Sequence, residues 1–272
     1  MLKLMYITND PQVAAIAQAA GVDRIFVDLE TIGKQERQGG MDTVQSRHSI
    51  EDVQALRPVL TSSQLLVRVN PIHPGSQDEI DAVIRAGADV LMLPYFHTAQ
   101  QVSDFLRFVD GRARTMLLFE TPASVEHLDE ILALDGIDEC YIGLNDLHLG
   151  YGQKFMFQLL ADGTVEQICQ KFIATGKPYG FGGIARVGTG TLPAERIIAE
   201  HVRLGSQAVI LARSFCNTAL ISDPDEISRT FQQEVPKIRQ TEQLCTGYSR
   251  EEFHSNTETI RQIVQNIVGG LT

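Results

Sequence analysis

The sequence predicts an α/β protein, a (β/α)8 or TIM barrel, and three observations lead to that prediction. Eight short apolar runs recur along the chain, and amphipathic helical patterns alternate with them. The runs lack the apolar–polar alternation of a strand with one wet face, which is typical of strands buried on both faces of a parallel sheet. Eight strand–helix units in about 250 residues favour a closed barrel over an open, doubly wound sheet.

The elements follow one another in a regular order. The predicted strands are residues 2–8, 24–30, 64–70, 89–94, 114–120, 139–146, 178–185 and 207–212. The predicted helices between them are residues 12–20, 49–60, 76–86, 98–109, 123–133, 165–175 and 194–204. Capping residues support two of the helix starts: Asp10 precedes the first helix, and Ser49 stands three residues before the acidic Asp52.

Two stretches exceed what a barrel needs. The polar segment 31–48 is longer than an ordinary loop between strand and helix, which favours a binding loop or lid. After the eighth strand, the pattern predicts a barrel helix at 225–238 and an extra helix at about 249–268. Ser249 and Glu252 form a capping box at the start of the extra helix. We expect one barrel domain over residues 1–272, whose extra helix either caps the barrel bottom or, as its apolar face favours, packs on a neighbouring subunit.

The composition limits the kinds of partner. The formal net charge is −11, which argues against nucleic acid or an anionic membrane as the main partner, because both need a basic face. No apolar run approaches the ~20 residues of a membrane span, and the N-terminus lacks the features of a signal peptide. We therefore expect a cytoplasmic protein that acts on a small molecule.

The stretch 115–147 carries the candidate chemistry. One apolar run ends at Glu120 and the next at Asp146, and neighbouring strand ends of a barrel face one shared pocket. Carboxylate oxygens in such a pocket can hold a hard divalent cation, although a helix cap or a surface salt bridge is the alternative role for each acid. Arg68 offers a fixed positive charge for a carboxylate or a developing enolate oxygen. Further polar residues at predicted strand ends are Asp28, Glu30, Asn70, Asn145 and Arg213.

Five motifs at strand ends carry a resemblance to a known family. They are VDLE, VRVN, LMLP, FETP and IGLNDL, at residues 27–30, 67–70, 91–94, 119–122 and 142–147. In this order they resemble the HpcH/HpaI aldolase and citrate lyase β-subunit family over about residues 20–215. The resemblance implies a (β/α)8 barrel in homo-oligomers, namely dimers that build trimers or hexamers, with a C-terminal helix exchanged between partners.

The resemblance also implies roles for individual residues. Glu120 and Asp146 would bind Mg²⁺, or Mn²⁺ or Co²⁺ in its place, and Arg68 would bind the oxygen of pyruvate or oxaloacetate that becomes the enolate. The substrate carboxylate would be received by backbone amides of the segment Gly143, Leu144, Asn145 and Asp146. The implied reaction is the cleavage of a 4-hydroxy-2-oxo acid, or its reverse, by a metal-dependent class II aldolase.

The strand-two motif departs from the family pattern. The acidic residue is usually followed by a histidine that takes part in proton transfer, and here that position is Thr31. His48 at the end of the long loop, Asp28, Glu30 or a metal-bound water is the alternative base. In the same loop, Lys34 and Arg37 are candidates to contact a phosphate or carboxylate, although a solvated loop is the simpler interpretation.

Other functions stay open at this point. A citrate-forming synthase or an acyl-CoA lyase shares the fold, but an acyl-CoA enzyme needs a basic surface that this acidic chain does not suggest. A non-catalytic barrel subunit is the alternative from another class. The glycine-rich segment 180–185 lies within a predicted strand, which favours close packing near the barrel mouth over dinucleotide binding.

Overall fold

Eight parallel strands close into a barrel, as the sequence predicts. The computed structural model describes residues 1–33 and 48–270. The strands are β1 (Lys3–Ile7), β2 (Arg24–Asp28), β3 (Gln64–Arg68), β4 (Val90–Leu93), β5 (Arg114–Phe119), β6 (Glu139–Ile142), β7 (Tyr179–Ile184) and β8 (Ala208–Leu211). Each strand pairs with its neighbours in sequence, and β8 pairs with β1 to complete the ring. The chain is therefore a (β/α)8 barrel.

Helices surround this barrel. Those before β6 are α1 (Pro11–Ala19), α2 (Ile50–Leu56), α3 (Ser76–Arg85), α4 (Ala99–Val109), α5 (Pro122–Glu126) and α6 (Leu128–Leu132). Those after β6 are α7 (Leu144–Gly150), α8 (Gln158–Ala161), α9 (Thr164–Thr175), α10 (Ala194–Leu204), α11 (Pro224–Cys245) and α12 (Arg250–Gly269). None of the helices in the described ranges is both long and apolar enough to cross a membrane.

The predicted capping residues define helix starts. The Asp10 side chain accepts hydrogen bonds from two backbone N–H groups at the start of α1. Ser49 and Asp52 form a reciprocal capping box at α2, and Ser249 and Glu252 form another at α12. These local hydrogen bonds explain why the sequence located the helix starts well.

The interior of the barrel is apolar in the middle and charged at the N-terminal end. The inward-facing apolar side chains are Met5, Phe26, Leu66, Val90, Met92, Met116, Leu118, Tyr141 and Ala208. Below this layer, Arg24 donates two hydrogen bonds of 2.7 and 2.6 Å to Glu139, and both residues are buried. The larger apolar core lies between the outside of the strands and the helices.

Several element boundaries differ from the sequence prediction, and the differences at the sixth strand and at the helix after β8 matter most. The sixth strand ends at Ile142 instead of 146, and the chain turns at once into α7, so Asp146 lies in a first helical turn. Leu144 and Leu147 are buried at a spacing of three, a helical period that begins directly after the apolar run of β6. The helix predicted at 225–238 extends to Cys245, because Glu242 and Cys245 continue its buried face.

Two predicted segments need separate mention. Most of the predicted binding loop, residues 34–47 with Lys34 and Arg37, lies outside the described residues. The extra helix α12 packs on α8 and α10 of its own chain, where the Asn256 side chain donates to Glu200 Oε1 at 3.0 Å. Exchange of this helix between subunits, and the homo-oligomer itself, stay predictions.

Candidate active site

A cavity of about 290 Å³ opens at the C-terminal face of the barrel. It brings together most of the residues that the sequence singled out. Those lining it are Asp28, Arg68, Glu120, Gly143, Leu144, Asn145, Asp146 and Arg213. A larger depression of about 990 Å³ lies at the other end of the barrel, around Asp89 and Asp138, and contains none of these groups. In (β/α)8 enzymes the chemistry lies at the C-terminal face, so the smaller cavity is the candidate active site.

Arg68 is held in one orientation by two acids from the neighbouring strand. Its Nε and Nη2 atoms donate to the two carboxylate oxygens of Asp28, each at 2.8 Å, and Nη1 lies 3.4 Å from Glu30 Oε2. The pairing of β2 with β3 sets Asp28 opposite Arg68. Burial lowers the pKa of Arg68, but the charges of Asp28 and Glu30 outweigh burial and raise that pKa above its ordinary value. The guanidinium is therefore a permanent, rigidly oriented cation.

Glu120 directly follows β5 and is buried, with 3% of its surface exposed. Its Oε1 atom accepts a hydrogen bond of 3.0 Å from the Tyr95 backbone N–H. Tyr95 has a φ of 47°, a left-handed conformation that is rare for a tyrosine and costs strain. Burial and the negative charge of Asp146 raise the pKa of Glu120 well above its usual range, against the opposing effect of Arg68. The two acids therefore repel each other across the cavity.

The backbone at Gly143 approaches Glu120 unusually closely. A Cβ atom at position 143 would lie 2.8 Å from both Cβ and Oε2 of Glu120. The backbone φ of Gly143 is −84°, which any residue adopts, so the requirement for glycine comes from space alone. This contact seats the start of α7, with Asn145 and Asp146, against the Glu120 carboxylate.

The donor set suits a hard divalent cation. Glu120 and Asp146 offer carboxylate oxygens, and a cation between them would offset the burial of Glu120 and its repulsion by Asp146, which together raise the Glu120 pKa. Within residues 1–33 and 48–270, no three His, Cys, Asp or Glu side chains lie close enough to hold a metal ion by themselves. Mg²⁺ is commonly bound through one or two carboxylates, with water and substrate as the other ligands. The residues present fit an ion of that kind.

His48 and Thr31 occupy different positions around the end of β2. The Thr31 backbone N–H and hydroxyl both donate to Asn70 Oδ1, at 2.9 and 3.3 Å, which ties the chain after β2 to the end of β3. His48 Nδ1 accepts a hydrogen bond of 3.0 Å from the Asp28 backbone N–H. Position 31 therefore anchors the chain, while a histidine reaches Asp28 from the far end of the loop.

One residue at the site was not singled out from the sequence. Tyr95 donates its N–H to Glu120 from a left-handed backbone, which no local pattern indicates. Met156 belongs to an apolar cluster with Phe155 and Phe157 that the sequence places after the sixth strand as a candidate substrate lid, and it lines the cavity. The glycines of β7 carried a signal: a Cβ at Gly180 would lie 2.3 Å from Ala208 O and 2.6 Å from the Tyr141 ring. The close packing predicted for the glycine-rich strand is what the structure shows.

The fold and the site together define a (β/α)8 barrel with an enzyme-like cavity of opposed acidic and basic groups at the C-terminal strand ends. The profile of the HpcH/HpaI aldolase/citrate lyase family matches residues 3–209, which is most of the chain. The chain belongs to that family. The resemblance of the five strand-end motifs is thereby confirmed.

Individual relatives are distant. The 2-keto-3-deoxy-L-rhamnonate aldolase of Escherichia coli (strain K12) is 25% identical over 204 residues, which covers 63% of this chain and 70% of that protein. An HpcH/HpaI aldolase from Desulfitobacterium hafniense DCB-2 has a similar structure, with a TM-score of 0.63 and 16% identity, covering 85% of this chain and 93% of that one. The structure of the citrate synthase SbnG is also similar, with a TM-score of 0.58 and 17% identity, covering 87% of this chain and 92% of that one.

These comparisons carry different weight. The structural likenesses lie below 25% identity and show the fold alone. Family membership and the aldolase relative support a lyase of the aldolase kind.

Proposed function

We propose that this protein is a metal-dependent carbon–carbon lyase that cleaves or forms a 4-hydroxy-2-oxo acid through the enolate of pyruvate or oxaloacetate. One observation carries the proposal: Arg68, a clamped cation, lines the same cavity as the mutually repelling carboxylates Glu120 and Asp146. A 2-oxo acid presents a carboxylate and an adjacent carbonyl oxygen, which match a cationic group and an ion held by carboxylates.

Glu120 and Asp146 would hold the divalent ion, Mg²⁺ or else Mn²⁺ or Co²⁺. When bound, such an ion acts as a Lewis acid that polarises the carbonyl of the 2-oxo acid. Oxygen ligands of this charge suit Mg²⁺ and Mn²⁺. The backbone N–H of Tyr95 donates to Glu120 Oε1, and this hydrogen bond would hold the Glu120 carboxylate in position for the ion.

Arg68 would stabilise the charge that develops on the enolate oxygen. Its guanidinium is already oriented by Asp28, so little reorganisation is needed when the charge appears. The first N–H groups of a helix lack intrahelical partners, and α7 begins at Leu144 in the cavity wall. The Gly143 N–H already donates to Phe119 O at 3.0 Å, so the amides of Leu144, Asn145 and Asp146 would receive the substrate carboxylate.

A base must accept the proton of the C4 hydroxyl. In the cleavage direction the C3–C4 bond breaks, its electron pair moves onto C3 to form the enolate, and the hydroxyl loses its proton as the aldehyde forms. Both oxygens of Asp28 bind Arg68, and the Nδ1 atom of His48 accepts the Asp28 N–H. With Asp28 bound to Arg68, the candidate bases are Glu30, His48 and a metal-bound water; Glu30 lies 3.4 Å from Arg68 Nη1 but is not among the described residues that line the cavity.

Proton exchange at C3 of pyruvate in D₂O tests this proposal, because exchange requires the enolate but no aldehyde. Protein treated with EDTA should be inactive, and addition of Mg²⁺ or Mn²⁺ should restore the exchange. The exchange is measured as the loss of the pyruvate methyl signal in proton NMR. Glu120→Gln should lower the rate by roughly 10²-fold or more. Asp129→Asn, which removes an exposed carboxylate paired with Lys171, is the matched control and should exchange at the wild-type rate.

Two outcomes would overturn the proposal. One is exchange that persists in EDTA at the rate seen with Mg²⁺. The other is a Glu120→Gln variant that exchanges as fast as the control.

A further inference from the structure

Asn70, the last residue of the VRVN motif, is not among the described residues that line the candidate active site. It lies two residues after the end of β3, and its side chain reaches across to the chain after β2. We propose that Asn70 is a positioning residue, which sets Glu30 against Arg68 by binding the backbone that follows Glu30. The inference rests on the proposed function, since it concerns the groups that orient the guanidinium proposed to stabilise the enolate.

One oxygen atom of Asn70 collects three hydrogen bonds. Asn70 Oδ1 accepts from the Thr31 N–H at 2.9 Å, from the Thr31 hydroxyl at 3.3 Å and from the Ile32 N–H at 3.0 Å. Thr31 and Ile32 are both exposed, so water would take these donors if the Asn70 side chain were removed. The Asn70 side chain therefore sets the course of the chain directly after Glu30.

The Asn70 amide is held from its other side by Glu79 of α3. Its Nδ2 atom donates to Glu79 Oε1 at 2.9 Å, and the Asn70 backbone N–H donates to the same oxygen at 3.1 Å. The second oxygen, Glu79 Oε2, lies 2.9 Å from His73 Nε2. A carboxylate only accepts hydrogen bonds, so the amide turns its NH2 group to Glu79 and its oxygen to Thr31. Hydrogen bonds on both sides of one amide also strengthen each other.

Glu30 is the residue that this arrangement positions. Its surface is 2% exposed, and its Oε2 atom lies 3.4 Å from Arg68 Nη1. On one side of Glu30, the Leu29 N–H donates to Arg68 O at 2.9 Å. On the other side, the Thr31 N–H donates to Asn70. The backbone is therefore bound to β3 and its extension both before and after Glu30.

Each nitrogen of the Arg68 guanidinium consequently has an acid beside it. Nε and Nη2 donate to Asp28, and Nη1 faces Glu30. If the chain after Glu30 is released, Nη1 loses its neighbour and the guanidinium can pivot on Asp28. A pivot misplaces the positive charge proposed for the enolate oxygen, while the groups proposed to bind the rest of pyruvate, after β5 and at the start of α7, stay in place. Loss of an interaction made in the transition state lowers kcat more than it changes KM.

A matched control lies at the opposite end of β3. Gln18 Oε1 also accepts three hydrogen bonds, from the N–H groups of residues 61–63 at 2.7, 2.8 and 3.0 Å. This segment precedes β3, at the N-terminal end of the barrel, away from the candidate active site. Gln18→Ala therefore removes the same number of hydrogen bonds from one amide oxygen as Asn70→Ala does, and it loosens a chain segment of the same kind.

Amide hydrogen exchange, followed by NMR, measures whether the chain is released. In Asn70→Ala the N–H groups of Thr31 and Ile32 should exchange with solvent at least about tenfold faster than in wild type. The Leu29 N–H, which is bound by Arg68 O, should keep its protection. This measurement needs no substrate, so it does not depend on the proposed function.

Initial rates of pyruvate C3 proton exchange with Mg²⁺, over a range of pyruvate concentrations, give kcat and KM. Asn70→Ala should lower kcat by at least about tenfold and change KM by less than about threefold. Gln18→Ala should match wild type in both quantities. A similar loss of stability in urea for the two variants would show that they are damaged to the same degree.

A second pair of variants exchanges the donor and the acceptor in the contact between Asn70 and Glu79. Asn70→Asp places a carboxylate oxygen next to Glu79, and the two acids repel each other. Adding Glu79→Gln returns a donor to this contact and keeps an oxygen towards Thr31. The double variant should have a kcat at least about threefold above that of Asn70→Asp alone.

The outcomes separate this inference from the proposed function. If amide exchange at Thr31 and Ile32 accelerates in Asn70→Ala but kcat stays within about twofold of wild type, Asn70 only stabilises the loop and the inference is wrong. An equal loss of kcat in Gln18→Ala would also overturn it, because any loosened segment would then have the same effect. A double variant no faster than Asn70→Asp would contradict the role of the Glu79 contact. If wild-type protein shows no pyruvate exchange, the proposed function fails and the inference with it.

Discussion

Gly143→Ala inserts a methyl group between the start of α7 and Glu120. The new Cβ would lie 2.8 Å from Glu120 Oε2 and 3.1 Å from Leu118 Cδ1. Non-bonded carbon contacts are favourable at about 3.5–4.0 Å, so the Glu120 carboxylate must retreat by roughly 0.7 Å or α7 must move away. Such overpacking costs about 1–3 kcal/mol of folding stability. The backbone conformation at position 143 suits alanine, so the whole effect comes from this contact.

The displacement should damage metal binding more than folding. A shift of about 1 Å in a positioned group can lower activity by roughly 10²-fold. We expect Gly143→Ala to weaken Mn²⁺ binding by at least about tenfold and to slow pyruvate exchange by a factor of about 10². Isothermal titration calorimetry measures the first quantity and proton NMR the second.

Gly183→Ala is the matched comparison, because Gly183 lines the same cavity. A Cβ there would meet Ile210 O at 3.5 Å and Ala212 Cβ at 3.7 Å, which are ordinary contacts. Its effect on Mn²⁺ binding should be much smaller. A Gly143→Ala variant that folds and binds Mn²⁺ as tightly as Gly183→Ala would refute the argument that Glu120 is a ligand seated by this contact.

Three further predictions concern stability. Arg24→Met leaves the buried Glu139 without its bidentate partner and should cost about 3–5 kcal/mol in urea unfolding, while adding Glu139→Met should recover part of this loss. Tyr141→Phe should lower the free energy of unfolding by about 1–3 kcal/mol, since the buried hydroxyl accepts from the Ile210 N–H and donates to a β7 carbonyl. A loss below a few tenths of a kcal/mol would contradict this expectation. Burial lowers the pKa of His201 to about 3, so the unfolded chain takes up that proton first as the pH falls. The stability that the protein owes to a neutral, buried His201 is complete above pH ~6.5 and is lost as the pH falls from ~6.5 to ~3. His201→Gln should therefore flatten this part of a plot of unfolding free energy against pH, measured with urea.

Much of the fold could be predicted because its signals are local. Strands buried on both faces appear as continuous apolar runs, and caps such as Ser49 and Ser249 mark helix starts by short-range hydrogen bonds. The continuous apolar run gave a wrong strand end at Asp146. The run through Ile142 and Leu144 stays apolar across the change from strand to helix, so periodicity could not show where β6 ends.

The candidate site could be predicted only in part, because strand order brings residues together while orientation depends on tertiary contacts. Asp28, Arg68 and Glu120 were expected at one face since each lies at the end of a strand, and the structure brings them there. The clamp of Asp28 on Arg68 depends on strand register. The contact of His48 with β2 joins residues twenty positions apart through a tertiary hydrogen bond. Such contacts leave no pattern in the sequence.

The proposed function depends on Glu120 and Asp146 together holding a divalent ion that contacts a 2-oxo acid. A crystal structure with Mn²⁺ and pyruvate, with the manganese located by anomalous scattering, tests this most directly. We expect one manganese ion bound by both carboxylates and by pyruvate oxygens, with Arg68 against the pyruvate carbonyl oxygen. Pyruvate bound in this cavity with manganese absent from Glu120 and Asp146 would contradict it.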